Sequence, residues 1–398
     1  MDPRFSRLAE LAVSVGANVQ PGQIVGVTAQ IGEEEPARAL AESAYRRGAK
    51  FVDVWFFDPW VKRARIEHAP EDTLDFVPGW YGQRLLALGE ERSARVSFSG
   101  PVAPGLMDDL DQARVGRDQL PFLKEVGRIV NDRTTNWNGI ACPNRAWAKL
   151  VFPDLEADEA YERLWQEVEH VLRLDEADPA AAWEGRMAVL NGSAARLTER
   201  RFDSLRLEGP GTDLRIGLFP TGIWWAADFE TVDGIRHLPN LPTEEVFTTP
   251  DPTRTEGQVT ASRPLVLRDG TIIRDLTVRF EGGRAVQIDA STGADALRSL
   301  CAMDEGASRL GEVALVDREG RIGPLGTVFY DTLLDENAAS HIAFGSGFSF
   351  LVEDEDKPRV NTSGTHIDFM IGSDALTVTG ITRAGERVPV LRAGTWQM

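Results

Sequence analysis

The chain has 398 residues, 42% of them apolar and 26% charged, a length that exceeds one ordinary core and suits two domains. Its 43 basic residues stand against 62 acidic ones, for a net charge of -19. That balance argues against nucleic acid or membrane as a partner, because both reward positive patches, and fits small or cationic substrates.

The longest apolar runs, Phe51 to Phe57 and the Gly- and Ser-interrupted Ile342 to Val352, fall short of the roughly 18 residues that span a bilayer. No apolar leader follows Met1, so the expectation is a soluble, cytoplasmic protein. The two cysteines, Cys142 and Cys301, are too far apart for a thiolate zinc motif and read as buried thiols.

In chain order, an amphipathic segment at Phe5 to Val15 precedes a short apolar run at Ile24 to Val27. A helical stretch over Glu34 to Arg47 comes next, then the strand-like Phe51 to Phe57. This alternation predicts an α/β domain with a mostly parallel sheet. Trp80 to Leu88 and Asp118 to Val126 read as helices, Arg95 to Phe98 as a strand, and Leu155 to Leu174 as a further helix. The best linker is Asp175 to Ala180, which sets the expected domains at 1–180 and 181–398.

Beyond Thr198 the texture changes to short β-type runs between Gly, Asp and Asn: Leu205 to Leu207, Leu214 to Leu218, Val259 to Ala261, Leu265 to Leu267 and Leu276 to Phe280. They predict a mixed α+β domain with an antiparallel sheet. Arg268-Asp269-Gly270-Thr271 reads as a hairpin turn, since Asp-Gly accepts the positive backbone angles such turns need.

Four segments of this second half carry metal-type ligands. In Thr365-His366-Ile367-Asp368-Phe369-Met370, residues two apart share a strand face, so His366 and Asp368 point one way and Ile367 and Phe369 the other. That pair is half of a site for zinc, cobalt or manganese, or an ordinary hydrogen-bonded pair.

Asp335 to Gly345 reads as a helix. Glu336 and His341, five apart, share a site there only if Glu336 lies at the helix entrance. Asn337 with His341 is the geometric alternative, and first-turn carboxylates favouring the helix dipole are the plain one. Glu312 lies in the apolar run Gly311-Glu312-Val313-Ala314-Leu315-Val316, where burial demands a cation: a metal ion, or Arg309 or Arg318. In Asn240-Leu241-Pro242-Thr243-Glu244-Glu245-Val246-Phe247-Thr248 adjacent carboxylates face opposite sides, so one enters a given site. Glu245 is favoured, with Glu244 in reserve and His237 as an additional contact.

Taken together and in order, Asn240 to Thr248, Gly311-Glu312-Val313, Asp335 to His341 and His366 to Gly372 resemble the metallopeptidase family that includes aminopeptidases T and S. The resemblance extends over nearly the whole chain, including Arg145-Ala146-Trp147-Ala148-Lys149. It implies a two-domain homodimer that admits peptides by their free N-terminus. It further implies two divalent ions held by Glu245, Glu312, Glu336, His341, His366 and Asp368, with Glu312 bridging.

The expected activity is release of N-terminal amino acids by a metal-activated water, with zinc, cobalt, manganese or magnesium as the metal. Glu244 is the candidate proton shuttle. Where the family's catalytic tyrosine is expected this chain has Phe348, which cannot donate to an oxyanion, so Tyr330 substitutes or catalysis is weakened. The alternatives are a mononuclear iron ring-cleaving dioxygenase on a related fold and a peptide binder with weakened turnover.

Overall fold

The computed structural model describes residues 1–398 apart from Met1, Gln119, Phe122, Ala227 and residues 268–270. The chain divides into two compact units. One comprises Met1–Glu184 with Ala227–Thr243, and the other Gly185–Ala226 with Glu244–Met398. Among the described residues no helix is long and apolar enough to cross a membrane.

The first unit is built on β1 (Ile24–Gln30), β2 (Phe51–Phe57), β3 (Ala94–Ser99) and β4 (Asn136–Ala141). With the two-residue strand Asn240–Leu241 they form an all-parallel sheet in the order Asn240–Leu241, β4, β3, β1, β2. Helix Glu34–Arg46 carries Glu34 and Glu35 in its first turn and Arg46 in its last, the charge order that its dipole favours. Helix Pro59–His68, unmarked in the apolar pattern, starts where Asp58 accepts from the Trp60 and Val61 amides with Pro59 in the first turn.

Two helical expectations change. The helix expected over Asp118 to Val126 starts late: among the described residues of that range only Lys124 to Val126 are helical, in a helix that runs to Asn131. The segment Asp335 to Gly345 is a short helix, Thr332–Glu336, followed by a strand, His341–Gly345. His341 to Gly345 is buried at every position, and ladder pairing on both of its edges outweighs local helix propensity. The expected turn at residues 268–270 lies outside the described residues, although Leu265–Val266 and Ile272–Ile273 pair antiparallel on either side of it.

The second unit contains an eight-stranded sheet and a five-stranded antiparallel sheet. The latter consists of β5 (Trp225–Ala226), β6 (Glu245–Thr248), β7 (Leu310–Val316), β8 (His341–Gly345) and β9 (His366–Met370), in the order β9, β8, β7, β6, β5. Its pairs include Phe247 with Ala314 and Trp225, Ala314 with His341, and Glu312 with Ala343. Ala343 in turn lies opposite Asp368, and Gly345 opposite His366.

Because side chains alternate, this register sorts the sheet into two faces. Val246, Val313, Leu315, Ile342, Phe344, Ile367 and Phe369 share one, and all are buried. Phe344 stacks on Phe369 with centroids 5.2 Å apart and meets Phe280 of the eight-stranded sheet at 5.7 Å. The opposite face carries Glu245, Glu312, His341, His366 and Asp368, with small Ala314 and Ala343 between them.

Two glycines make that register possible. Gly311 stands at a bulge between Leu310 and Glu312, and a Cβ there would lie 2.4 Å from the Gly345 and Ser346 carbonyl oxygens. Gly345 has φ 92°, and its Cβ would meet the Thr365 carbonyl oxygen at 2.1 Å. Gly345→Ala is therefore expected to cost about 1–3 kcal/mol through backbone strain and to displace β9 from β8. Denaturant titration checks the first effect; unchanged stability would show that the β8–β9 turn tolerates a side chain.

Candidate functional site

Five of the six expected ligands project from one face of one sheet, and the sixth, Glu336, closes the short helix just before β8. Two overlapping groups result: Glu245, Glu312 and His341, and Glu312, His366 and Asp368. In each, one ligand atom from every residue lies within 4.8 Å of the others. Glu312 belongs to both.

The imidazoles are oriented from behind. His341 Nδ1 lies 3.2 Å from the Ala339 carbonyl oxygen and His366 Nδ1 2.9 Å from that of Ser346. Each Nδ1–H donates to a carbonyl, so each Nε2 faces the carboxylates, the arrangement that metal-binding histidines adopt. His341 Nε2 is 3.0 Å from Glu245 Oε2, and His366 Nε2 is 3.1 Å from Glu312 Oε2 and 3.2 Å from Asp368 Oδ1.

The electrostatics are those of acids crowded away from water. Burial pushes the Glu312 carboxyl up to about 7; the His366 hydrogen bond opposes this, and the Glu245 and Asp368 charges add to it. Burial and then the Asp368 and Glu245 charges hold Glu336 well above the ordinary carboxylate range. Burial works against protonated His341, but the Glu245 carboxylate prevails and raises it to about 10. Against the same burial cost, Asp368 and Glu312 raise His366 well above its ordinary value. The charges acting most strongly on these four groups all come from within the six residues.

A divalent cation fits this set. Glu245 Oε2 is buried and accepts no aligned hydrogen bond, although His341 stands at ion-pair distance. Of the possible organic counter-cations of Glu312, the Arg309 guanidinium binds the Pro252 and Gly282 carbonyls and Arg318 is exposed, while Glu312 meets His366. Four carboxylates can carry four negative charges, which two divalent ions would match.

Glu244 shows what a buried acid with an internal partner looks like. Fully buried, it accepts from Arg186 Nε at 2.5 Å, while the two terminal nitrogens of Arg186 grip Asp317 at 2.9 and 3.1 Å. Trp396 Nε1 also donates to Asp317, and the Glu244 amide donates to Asn337 Oδ1 at 2.6 Å. The clamp joins residues adjacent to Glu245, to the Val316 end of β7 and to Glu336. Glu244 is thus committed to Arg186, and the proton-shuttle expectation gains no geometric support.

Tyr330 stands just before helix Thr332–Glu336 with φ 54°; among the described residues no hydrogen bond or ring contact joins it to the group. His237 belongs to the first unit, buried beside Trp137 and Phe229, its pKa pushed by burial down to about 4. Both cysteines are buried, and burial pushes the Cys301 thiol up to about 12.

Sequence reading missed Arg186, Asp317 and the carbonyls of Ala339 and Ser346, and it offered Asn337 as a partner of His341, whereas its Oδ1 accepts from the Glu244 amide. Arg186 lies in helix Pro179–Arg200, and its partners are 58 and 131 residues away, so no local spacing announces it.

Shared carboxylates and two imidazoles on one face of an antiparallel sheet are the donor set of a candidate metal centre, and comparison with known proteins names the family. The chain belongs to the M29 family of thermophilic metalloproteases, whose family model matches residues 1–396. It is 43% identical over 405 residues to aminopeptidase T of Thermus aquaticus, covering 98% of each chain. Aminopeptidase 2 of Geobacillus stearothermophilus is 35% identical over 407 residues, covering 99% of this chain and 98% of its own.

Among solved structures, wild-type AmpT from Thermus thermophilus superposes with a TM-score of 0.92 at 41% identity, covering 100% of this chain and 99% of that one. Family and relatives make the chain a metal-dependent aminopeptidase, a hydrolase. They give no support to the ring-cleaving dioxygenase alternative.

The raised pKa values fix a pH dependence. Proton-linked stability from Glu312 is full below about 4.5 and lost as pH rises through about 7; that from His341 is full below about 6.5 and lost through about 10. Chelated protein should therefore lose stability with rising pH across this interval. A cation must displace the same protons, so its stabilisation should grow. Melting curves with and without chelator, from about pH 6 to about pH 9, should diverge as pH rises; a constant gap would remove these groups from the metal site.

Proposed function

We propose that the chain releases N-terminal residues from peptides with a free amino end, using two divalent ions. Glu245 and His341 would hold one ion, His366 and Asp368 the other; Glu312 would bridge them and Glu336 would complete the set. The observation that carries this reading is the largely buried group of four carboxylates and two imidazoles whose dominant charges are its own. Zinc, cobalt, manganese and magnesium all suit a carboxylate-rich site with two imidazoles and no thiolate.

When bound, such ions supply Lewis acidity toward a water and toward the scissile carbonyl. The chain's own contribution is placement. The sheet register sets five of these side chains on one face, the Ala339 and Ser346 carbonyls orient both imidazoles, and the Arg186 clamp holds the residues flanking Glu245 and Glu336. Alanines 314 and 343 keep the middle of that face clear. The catalytic unit is the second, and the expected location is the cytoplasm.

A homodimer fits the first unit, where edge strand β2 and its surroundings expose Phe51, Trp60, Val61, Phe76 and Trp80. An unpaired edge carrying apolar side chains is a surface that a second copy can cover.

Purified chain loaded with cobalt, zinc, manganese or magnesium should release free amino acid from Leu and Phe dipeptides. Release should stop on chelation and on N-acetylation of the substrate. Glu312→Gln should retain the fold by circular dichroism and lose turnover by more than the roughly 10- to 100-fold that loss of an outer-shell partner costs. Undiminished turnover in that variant would overturn the bridging role.

Phe348, at the position where the family resemblance leads one to expect a tyrosine, has its ring 5.6 Å from that of His366. Phe348→Tyr is expected to raise kcat by roughly ten- to a hundredfold, below the full range for one oxyanion donor. Steady-state kinetics at saturating substrate decide the matter; an unchanged kcat would mean that turnover does not await a donor there.

A further inference from the structure

We propose that Trp225, Phe247, Phe348 and Phe350 form the subsite for the side chain of the substrate's N-terminal residue, and that it selects large apolar, above all aromatic, side chains. This inference rests on the aminopeptidase reading above.

The strand register places the first two rings. Phe247 follows Glu245 by two on β6 and so shares its face, and Trp225 lies directly opposite Phe247 on β5. Both therefore sit on the ligand face. The other two rings come from the loop after β8, which Asn361 holds through the Gly345 carbonyl at 2.6 Å and through its own carbonyl to the Gly347 amide at 2.9 Å. The Phe348 amide points to Thr249 Oγ1 at 3.4 Å.

The rings form a continuous series. Phe348 lies 5.6 Å from the ring of His366, 5.3 Å from Phe247 and 5.6 Å from Phe350, and Phe350 meets Trp225 edge-on at 6.3 Å. Phe247 is 5% exposed and Phe350 38%, with Phe348 and Trp225 half-buried. Rings of the opposite face, such as Phe344 and Phe369, are wholly buried. The series thus runs from Phe348, beside a proposed metal ligand, to apolar surface that stays open at Phe350, where a packed core would have closed it.

The chemistry of the reaction says what could cover that surface. With the scissile carbonyl at the ions, the N-terminal side chain begins only two bonds from the carbonyl carbon and must lie against the ligand rings. Aromatic edges and faces reward another aromatic group beyond simple area burial.

The test uses the metal-loaded full chain and compares kcat/KM for Phe-Ala, Ala-Ala, Lys-Ala and Ala-Phe, so that ratios cancel any general loss. Wild type should prefer Phe-Ala to Ala-Ala by roughly tenfold or more, the range that apolar pockets achieve. Phe350→Ala should cut that ratio about tenfold, and Phe350→Asp should raise Lys-Ala relative to Phe-Ala, a gain that misfolding cannot imitate. Unchanged ratios, or a change confined to Ala-Phe, would overturn the subsite while leaving the peptidase reading intact. Failure of the wild type on every dipeptide would overturn that reading itself.

Discussion

Gathering four carboxylates around two imidazoles, largely out of water, is the constraint on which the second unit turns. Each buried charge is costly unless compensated. Protons help to meet that cost: Glu312 and Glu336 hold theirs more tightly than free carboxyls, and the neighbouring carboxylates make His341 and His366 more basic. A cation bound at this candidate site would compete with those protons. Stability, metal affinity and pH are thus one linked property here.

The surrounding structure resists the mutual repulsion of these ligands. A flat ladder would leave backbone freedom at the ends of β6 and β7, where Glu245 and Val316 pair. Arg186 closes that end by holding Glu244 and Asp317 together, and Asn337 extends the connection to the residue after Glu336. Removing one partner of a buried pair leaves an uncompensated charge, whereas the intact pair chiefly confers a fixed geometry. The two acidic neighbours Glu244 and Glu245 illustrate the division of labour: alternation along the chain sends one to the clamp and the other to the site.

Much of the site was legible because strand periodicity is local. His366 with Asp368, and Glu312 within its apolar run, needed only a period of two to be assigned to a shared or buried face. Two things were not legible. His341 sits in a segment whose composition suits a helix, and its strand state follows from pairing with β7 and β9, each a long-range contact. Arg186 gave no signal because its meaning lies in partners far along the chain. The parallel sheet of the first unit was visible as alternating apolar runs, but helix Pro59–His68 depends on the Asp58 cap more than on an apolar stripe.

Alternation also explains how catalysis and specificity can share so little sequence. On β6, Glu245 and Phe247 occupy the same face two residues apart, one turned to charge and the other to an apolar wall. The opposite face of the same strand belongs to the core through Val246. A change on the core face would disturb packing, a change at Glu245 the electrostatics, and a change at the wall the choice of side chain. The bulge at Gly311 and the turn at Gly345 hold these three functions in register, since a slip of one residue would exchange the core and site faces.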